Sequence, residues 1–271
     1  MSRFRFDFHA AAVLAPGLVS LADLRAVCRG ERPYVHEPLQ LPSPAMLPAH
    51  ERRRASQVVR LVLACIAQAL HESPFPVETL RAVFATDEGT GEVCQQMLEA
   101  VATTRQISPL LFPNSVHNAP SGYFSIAWRN REPATLVSLG VESFASGLLC
   151  AVIEAAASRQ PVLLVVYDPA MTPPLDELLP VSDATACAWI ISSGAAQLAA
   201  PALGSFSMEL APLRTQSPTP LPLWMPQAMA GQCSARGLAA LGLLEAGDDA
   251  VCRLSLGAQT LSLRRCAKGA T

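Results

Sequence analysis

The most informative stretch of this chain is Thr135-Leu-Val-Ser-Leu-Gly-Val-Glu-Ser-Phe-Ala-Ser-Gly-Leu-Leu-Cys150. Residues 135–139 predict a short strand, Gly140 permits a sharp turn, and residues 142–158 predict a largely apolar helix. A side chain at the start of such a helix faces the positive end of the helix dipole, where backbone N–H groups can stabilise an oxyanion. The stretch therefore predicts a strand–turn–helix elbow of the kind that presents a nucleophile.

The same alternation of strands and helices continues on both sides of the elbow. Strands are predicted at 3–15, 81–87, 161–167 and 184–192, and helices at 51–72, 92–104 and 121–129. Because several strands are apolar throughout, the sheet should be buried on both faces. We predict an α/β fold whose mixed, mostly parallel sheet is covered by helices on both faces.

The pattern weakens after residue 201. A proline-rich loop is predicted over 212–226, a helix over 227–244, and a hairpin over 251–256 and 260–264. No internal repeat or linker divides the chain. We therefore expect residues 1–271 to form a single domain.

Composition points to a permanent protein partner. Hydrophobic residues make up 51% of the chain and charged residues 15%, against roughly 25% charged in an average domain. The longest uninterrupted apolar run, 61–67, is far shorter than the roughly 20 residues of a spanning helix, and no secretory signal is visible. Since obligate interfaces are depleted in charge, we expect a cytoplasmic protein with no membrane span that is bound to a partner.

Charge and cysteine patterns exclude several functional classes. The net charge is −2, and Lys268 is the only lysine. Nucleic acid is not expected as a partner, because phosphate binding needs a clustered basic face. None of the eight cysteines has zinc or redox spacing, and no phosphate- or dinucleotide-binding loop is present. We expect reduced cysteines, no metal and no cofactor.

The chain contains the residue types of a hydrolase triad. His117 and Asp183 could combine with Ser143 or Ser146. These residue types are so common that the combination carries little information without geometry. Loop and cap positions are the simpler explanation of these four residues.

The elbow resembles the active-site region of β-ketoacyl synthases. Where that family has Thr-Ala-Cys-Ala-Ser-Gly, this chain has Glu142-Ser-Phe-Ala-Ser-Gly147, so Phe144 occupies the position of the nucleophilic cysteine. Six further stretches match the family in order and spacing: Phe8–Gly17, Glu51–Ser56, Val83–Gly91, Phe112–Gly122, Leu163–Asp168 and Ala184–Ser192. The resemblance covers about residues 5–195 and implies the amino-terminal half of a thiolase-like fold, followed by a divergent part at 196–271.

Two departures from the family pattern bear on function. An active decarboxylating ketosynthase uses the cysteine with two histidines and a nearby lysine in its carboxyl-terminal half, whereas this chain has Phe144 and no histidine after His117. Phenylalanine cannot attack a thioester, and Cys150 lies nearly two helical turns beyond the elbow. The resemblance therefore implies a chain-length factor, an inactive subunit that pairs with an active ketosynthase and, through the complex, with an acyl carrier protein.

This type of subunit is similar to the partner found in aryl-polyene-type synthases, which belong to fatty-acid-like and polyketide-like biosynthesis. The alternative hypothesis is a stand-alone acyl-transfer or hydrolytic enzyme that uses Ser143, Ser146 or Cys150. An enzyme of that kind should become acylated by an acyl-carrier-protein thioester, whereas a chain-length factor should not.

The resemblance also implies two groups of site residues. An acyl pocket is expected at Val93, Met97, Val101 and Phe144; the alternative for the first three is ordinary core packing, because an apolar stripe is how a helix usually meets a sheet. The strand at 135–139 should pair with its counterpart in the partner. The corresponding interface residues are Asn114, Ser115, His117, Asn118, Tyr123, Thr135, Val137 and Leu139.

Overall fold

A computed structural model describes residues 3–179, 181–193, 202–212, 217–248 and 250–266. Its strands are β1 (Arg3–Leu14), β2 (Arg81–Ala85), β3 (Ala134–Val137), β4 (Val162–Asp168), β5 (Thr185–Ser193), β6 (Gly204–Pro212), β7 (Val251–Leu256) and β8 (Gln259–Arg265). Its helices are α1 (Leu21–Cys28), α2 (Ala49–Arg54), α3 (Gln57–His71), α4 (Gly91–Thr104), α5 (Ala119–Trp128), α6 (Ser143–Ser158) and α7 (Cys233–Leu241).

All eight strands form one mixed sheet in the order β3-β2-β4-β5-β1-β6-β8-β7. The pairs β2–β3 and β2–β4 are parallel, and the other five pairs are antiparallel. The prediction of a mostly parallel sheet is therefore wrong. Apolar strands report burial on both faces, but burial does not determine the direction in which neighbouring strands run.

Helices cover both faces of the sheet, as predicted. One core lies between the sheet and α3 and α5, and the other lies between the sheet and α1, α6 and α7. The central strand β1 contributes to both cores: Phe6 and Phe8 belong to the second core, whereas Ala10 and Ala12 belong to the first. The α/β class is confirmed.

The structure differs from the predicted elements at three places. The helix predicted over 51–72 is two helices, because Ser56 accepts a hydrogen bond from the Val59 N–H and caps α3 separately. Strand β6 was not predicted. The helix predicted over 227–244 is reduced to α7, with a short 3-10 turn before it and another after it, whereas the predicted carboxyl-terminal hairpin is present as β7 and β8.

Helix α6 lies in the segment 140–158, which is long and apolar enough to cross a membrane by length and composition. A core helix has the same two features. Phe144, Leu148 and Val152 on this helix are buried against the sheet. Packing therefore accounts for the composition of α6, and the segment is weak support for a membrane span.

Gly147 allows α6 to approach β2 closely. A Cβ atom at this position would lie 2.7 Å from the Ala85 Cβ and 3.2 Å from the Leu164 Cδ1. We expect Gly147→Ala to lower the free energy of unfolding by about 1–3 kcal/mol through overpacking, although alanine favours helix. Urea unfolding followed by circular dichroism measures this.

Gly122 provides a matched control in helix α5. A Cβ atom added there meets nothing within 4 Å, so Gly122→Ala should stabilise the chain by about 0.5–1 kcal/mol through helix propensity alone. Equal effects at both positions would contradict the close approach of α6 to β2.

Candidate functional site

The elbow between β3 and α6 is built around the side chain of Ser143. Gly140 adopts a positive φ of 60° in the turn. The Ser143 hydroxyl accepts a hydrogen bond from the Leu139 N–H at 2.8 Å and lies 2.7 Å from the Gly140 carbonyl oxygen and 3.0 Å from the Thr86 carbonyl oxygen, toward which it donates. Ser143 thus fixes the turn and ties it to the end of β2.

Phe144, the residue at the nucleophile position, is fully buried beneath the elbow. Its ring packs edge-on against Trp189 of β5 with the ring centroids 5.2 Å apart. Helix α7 lies against the same ring, because a Cβ atom at Gly237 would be 3.3 Å from Phe144 and 2.6 Å from the Cys187 Sγ. The phenyl group therefore occupies the space directly behind the elbow.

Helix α7 is held over the elbow by the buried carboxylate of Asp168 at the end of β4. The Ser234 N–H donates to Asp168 Oδ2 at 2.7 Å, the Ser234 hydroxyl donates to the same oxygen at 2.6 Å, and the Cys233 thiol donates to Oδ1 at 3.3 Å. Gln232 makes no side-chain cap, so Asp168 supplies the acceptor that the first turn of α7 needs. Burial raises the pKa of Asp168, against the lowering effect of these hydrogen bonds.

The β7–β8 hairpin closes the outer side of the elbow. Glu142 accepts hydrogen bonds from the Ser255 hydroxyl at 2.6 Å and from the Gly257 N–H at 2.8 Å. The cavity between Glu142, Ala145 and the hairpin measures about 140 Å³. Binding pockets usually measure roughly 300 Å³ or more, so this cavity is too small for an extended acyl group.

None of the three alternative nucleophiles is activated in this structure. Ser143 is fully buried, and its hydroxyl serves the turn. The Ser146 Oγ is buried with no hydrogen-bond partner among the described residues. Cys150 is half-buried, and burial together with the Glu154 carboxylate raises its pKa, which disfavours the reactive thiolate.

The triad composed from the sequence does not assemble. Asp183 pairs with the Nε2 atom of His36 at 3.1 Å, and not with His117. The Nε2 atom of His117 is buried without a partner in the part of the chain that the structure describes. No charge relay therefore reaches Ser143 or Ser146.

The predicted interface residues fall into two groups. Asn114 and Tyr123 are buried within the chain, and Asn114 donates to the Arg54 carbonyl oxygen at 2.9 Å. These two residues support the loop from inside and do not lie on the surface of the chain. Asn118, Thr135 and Leu139 are exposed, and Ser115, His117 and Val137 are half-buried.

Exposed apolar side chains concentrate in the part of the sequence that contains the edge strand β3. Nine of the fifteen large apolar side chains exposed in the described structure lie between residues 98 and 141. We call this group the apolar segment: Leu98, Val101, Ile107, Leu110, Phe112, Val116, Ile126, Leu139 and Val141. Strand β3 pairs only with β2 in the described sheet, so its outer edge is open for another strand.

The predicted apolar stripe on α4 is only partly inside the chain. Val93 is buried, Met97 is half-buried and Val101 is 45% exposed. Ordinary core packing therefore explains Val93, but it leaves Val101 and part of Met97 facing outward.

Two contacts at this site are not predicted by the sequence. One is the carboxylate of Asp168 beneath α7, and the other is the carboxylate of Glu142 beneath the hairpin. Both join residues more than 60 positions apart. The only local signal was the polar pair that Ser234 and Gln232 form at the start of an apolar helix.

Residues 28–234 match the sequence profile of the family described as "Beta-ketoacyl synthase, N-terminal domain". No curated protein matches the chain. Solved structures do match: the ketosynthase ApeO in complex with its chain length factor ApeC from Xenorhabdus doucetiae is similar at 23% identity and a TM-score of 0.71, covering 96% of this chain and 99% of that chain.

Two further complexes have the same fold. The ishigamide ketosynthase/chain length factor gives a TM-score of 0.75 at 11% identity, covering 97% of this chain and 99% of that chain. AntDE:AntF, a type II PKS acyl-carrier protein in complex with its ketosynthase bound to the hexaketide, gives 0.72 at 11% identity, covering 98% and 100%.

Proposed function

We propose, from the premise that this chain belongs to the β-ketoacyl synthase family, that it is a non-catalytic subunit of the chain-length-factor type. In this role it forms a heterodimer with an active β-ketoacyl-ACP synthase and shapes the acyl pocket of that enzyme. We further propose that the chain acts as one ketosynthase-like domain in the cytoplasm, in fatty-acid or aryl-polyene-type biosynthesis.

The elbow carries this proposal. The family's catalytic cysteine is replaced by Phe144, whose ring is packed against Trp189 and covered by α7. An acyl thioester would meet no nucleophile at this position, and the cavity beside it is too small for an extended acyl group. A family member with a closed elbow is better suited to assist a second subunit than to condense acyl groups itself.

The open edge of β3 and the apolar segment support a heterodimer. An unpaired strand edge beside exposed apolar side chains favours association with another chain. Two of the similar structures are described as ketosynthases with a chain length factor, and a third contains an acyl-carrier protein. Partners of the same two kinds are what we propose for this chain.

Co-expression with an active ketosynthase from the same genome tests the heterodimer. We expect the two chains to purify together, and Phe112→Arg to weaken their association by about tenfold or more, because it places a charge in an apolar contact. Phe112 is 60% exposed, so the variant should keep the fold. Size-exclusion chromatography and isothermal calorimetry measure the association.

Leu223→Arg serves as the matched control, because Leu223 is fully exposed and lies outside the apolar segment. This variant should bind the ketosynthase as the unmodified chain does. A stable, monodisperse monomer that binds no ketosynthase would contradict the proposal, as would equal binding by both variants.

Met97 is expected to limit the length of the acyl chain in the heterodimer. If Met97 and Val101 border the channel of the complex, Met97→Ala should shift the products to longer chains and Met97→Trp to shorter ones. Gln96→Ala, on the exposed side of α4, should leave the products unchanged. Product masses from the reconstituted pair measure this; an unchanged distribution in both Met97 variants would assign Met97 to packing alone.

A further inference from the structure

A second cavity lies next to the elbow cavity, between α7, β7 and the segment 219–224. Its volume is about 320 Å³, more than twice that of the elbow cavity. The walls are mostly apolar, with Leu221, Trp224, Leu243 and Leu254 among the lining residues. A concave apolar space of this size with few polar groups is typical of a small-molecule site.

Arg236 supplies the charge in this cavity. The residue is half-buried on α7 and lines both this cavity and the elbow cavity. It makes no hydrogen bond or ion pair with any residue that the structure describes. The carboxylate that shares the elbow cavity, Glu142, already accepts hydrogen bonds from Ser255 and Gly257.

An arginine in such a position favours an anionic ligand. The Arg236 guanidinium is only half-buried and has no ion-pair partner among the described residues, so a carboxylate can accept two parallel hydrogen bonds from it without displacing a protein group. The charge of Arg236 is felt inside the cavity: together with Arg253 it opposes the burial that raises the pKa of Cys252 to about 11. The apolar walls disfavour a small hydrated anion such as phosphate.

We propose that this cavity binds a small carboxylic acid with an apolar tail, the carboxylate on Arg236 and the tail against Trp224 and the leucines. At the ~30 Å³ that a water molecule occupies in the liquid, the cavity holds about ten non-hydrogen atoms. Octanoate, an eight-carbon carboxylate, matches this size. The inference goes beyond the proposed function, because it concerns a ligand of this chain alone.

Binding of octanoate to the full-length chain tests the proposal. Octanoate should raise the melting temperature in a saturable manner and change the tryptophan fluorescence, to which Trp224 contributes. Octanamide has the same size and shape but no charge, and its affinity should be lower than that of octanoate by about tenfold or more. Neither measurement needs a ketosynthase. A failure to bind octanoate and a failure to form the heterodimer are therefore separate results.

Two variants identify the site. Arg236→Gln should reduce octanoate affinity about tenfold while leaving octanamide affinity unchanged, and Ala239→Leu should reduce both affinities by filling the cavity. Arg53→Gln, at an exposed arginine outside the cavity, is the matched control and should change neither. Absence of saturable octanoate binding, or equal octanoate affinity in the chain and in Arg236→Gln, would overturn the proposal.

Discussion

Asp168→Ala is expected to lower the free energy of unfolding by about 2–4 kcal/mol, because it leaves buried donors without an acceptor. The Asp168 carboxylate is buried at the end of β4 and accepts hydrogen bonds from the backbone N–H and the hydroxyl of Ser234. Without it, the first turn of α7 has no side-chain cap. Because α7 covers Phe144, the loss should also loosen the elbow.

Asp168→Asn separates the hydrogen bonds from the charge. The asparagine carbonyl oxygen can accept from Ser234, and its amide can face the Cys233 sulfur, so most of the stability at neutral pH should remain. Asp183→Ala is the control, since Asp183 pairs with His36 near the surface and should cost about 1 kcal/mol or less. Urea unfolding of the three variants measures these differences, and equal losses in Asp168→Ala and Asp168→Asn would contradict the proposed role of the carboxylate oxygens.

The pH dependence of stability has a definite sign for Asp168. Burial raises its pKa in the folded chain above the ordinary value of 3.8. Between 3.8 and the raised value the folded chain holds more protons at this site than the unfolded chain, so stability falls as pH rises through that window. Asp168→Asn cannot titrate. The unfolding free energy of the unmodified chain should therefore decrease relative to that of Asp168→Asn as pH is raised from below 3.8.

The elbow could be predicted from sequence because its signals are local. The strand, the turn at Gly140 and the apolar helix lie within one continuous stretch, and Phe144 stands inside a short motif. The buried face of α3 was predictable for the same reason, since its apolar residues recur at helical spacing. Local periodicity is what a sequence displays directly.

The arrangement around the elbow could not be predicted because it depends on residues far apart in the chain. Asp168 and Ser234 are separated by 66 residues, and no periodicity links them. The prediction of mostly parallel strands was wrong because a strand that is buried on both faces has the same composition in parallel and antiparallel sheets. Strand β6 did carry a signal, the period-2 alternation of Phe206, Met208 and Leu210 with Ser205, Ser207 and Glu209, which the surrounding loop composition obscured.

The exposure of the interface residues also depended on tertiary structure. Asn114 and Tyr123 belong to the motif that suggested an interface, yet both are buried inside the chain. Their neighbours in the apolar segment are exposed. Within one short motif, some side chains can therefore point inward and hold a loop, whereas others point outward, where a partner can contact them.

Phe144→Cys is expected to restore the residue type of the family's nucleophile without restoring its reactivity. The substitution removes most of a buried ring that contacts Trp189, so it should lower the free energy of unfolding by about 2–4 kcal/mol. The new thiol would lie beneath α7 in an apolar core, where burial raises a cysteine pKa as it does for the neighbouring Cys187. Burial should outweigh the helix N-terminus, which acts in the opposite direction.

Intact mass measured after incubation with an acyl-carrier-protein thioester tests this expectation. Both the unmodified chain and Phe144→Cys should remain unacylated under native conditions, and Phe144→Cys alone should form no ketoacyl product, because no histidine follows His117. Thiol-reactive labelling in urea is the control that the new cysteine is intact. An adduct at position 144 would mean that α7 leaves the elbow, whereas an adduct on Ser143, Ser146 or Cys150 of the unmodified chain would replace the proposed function with acyl transfer or hydrolysis.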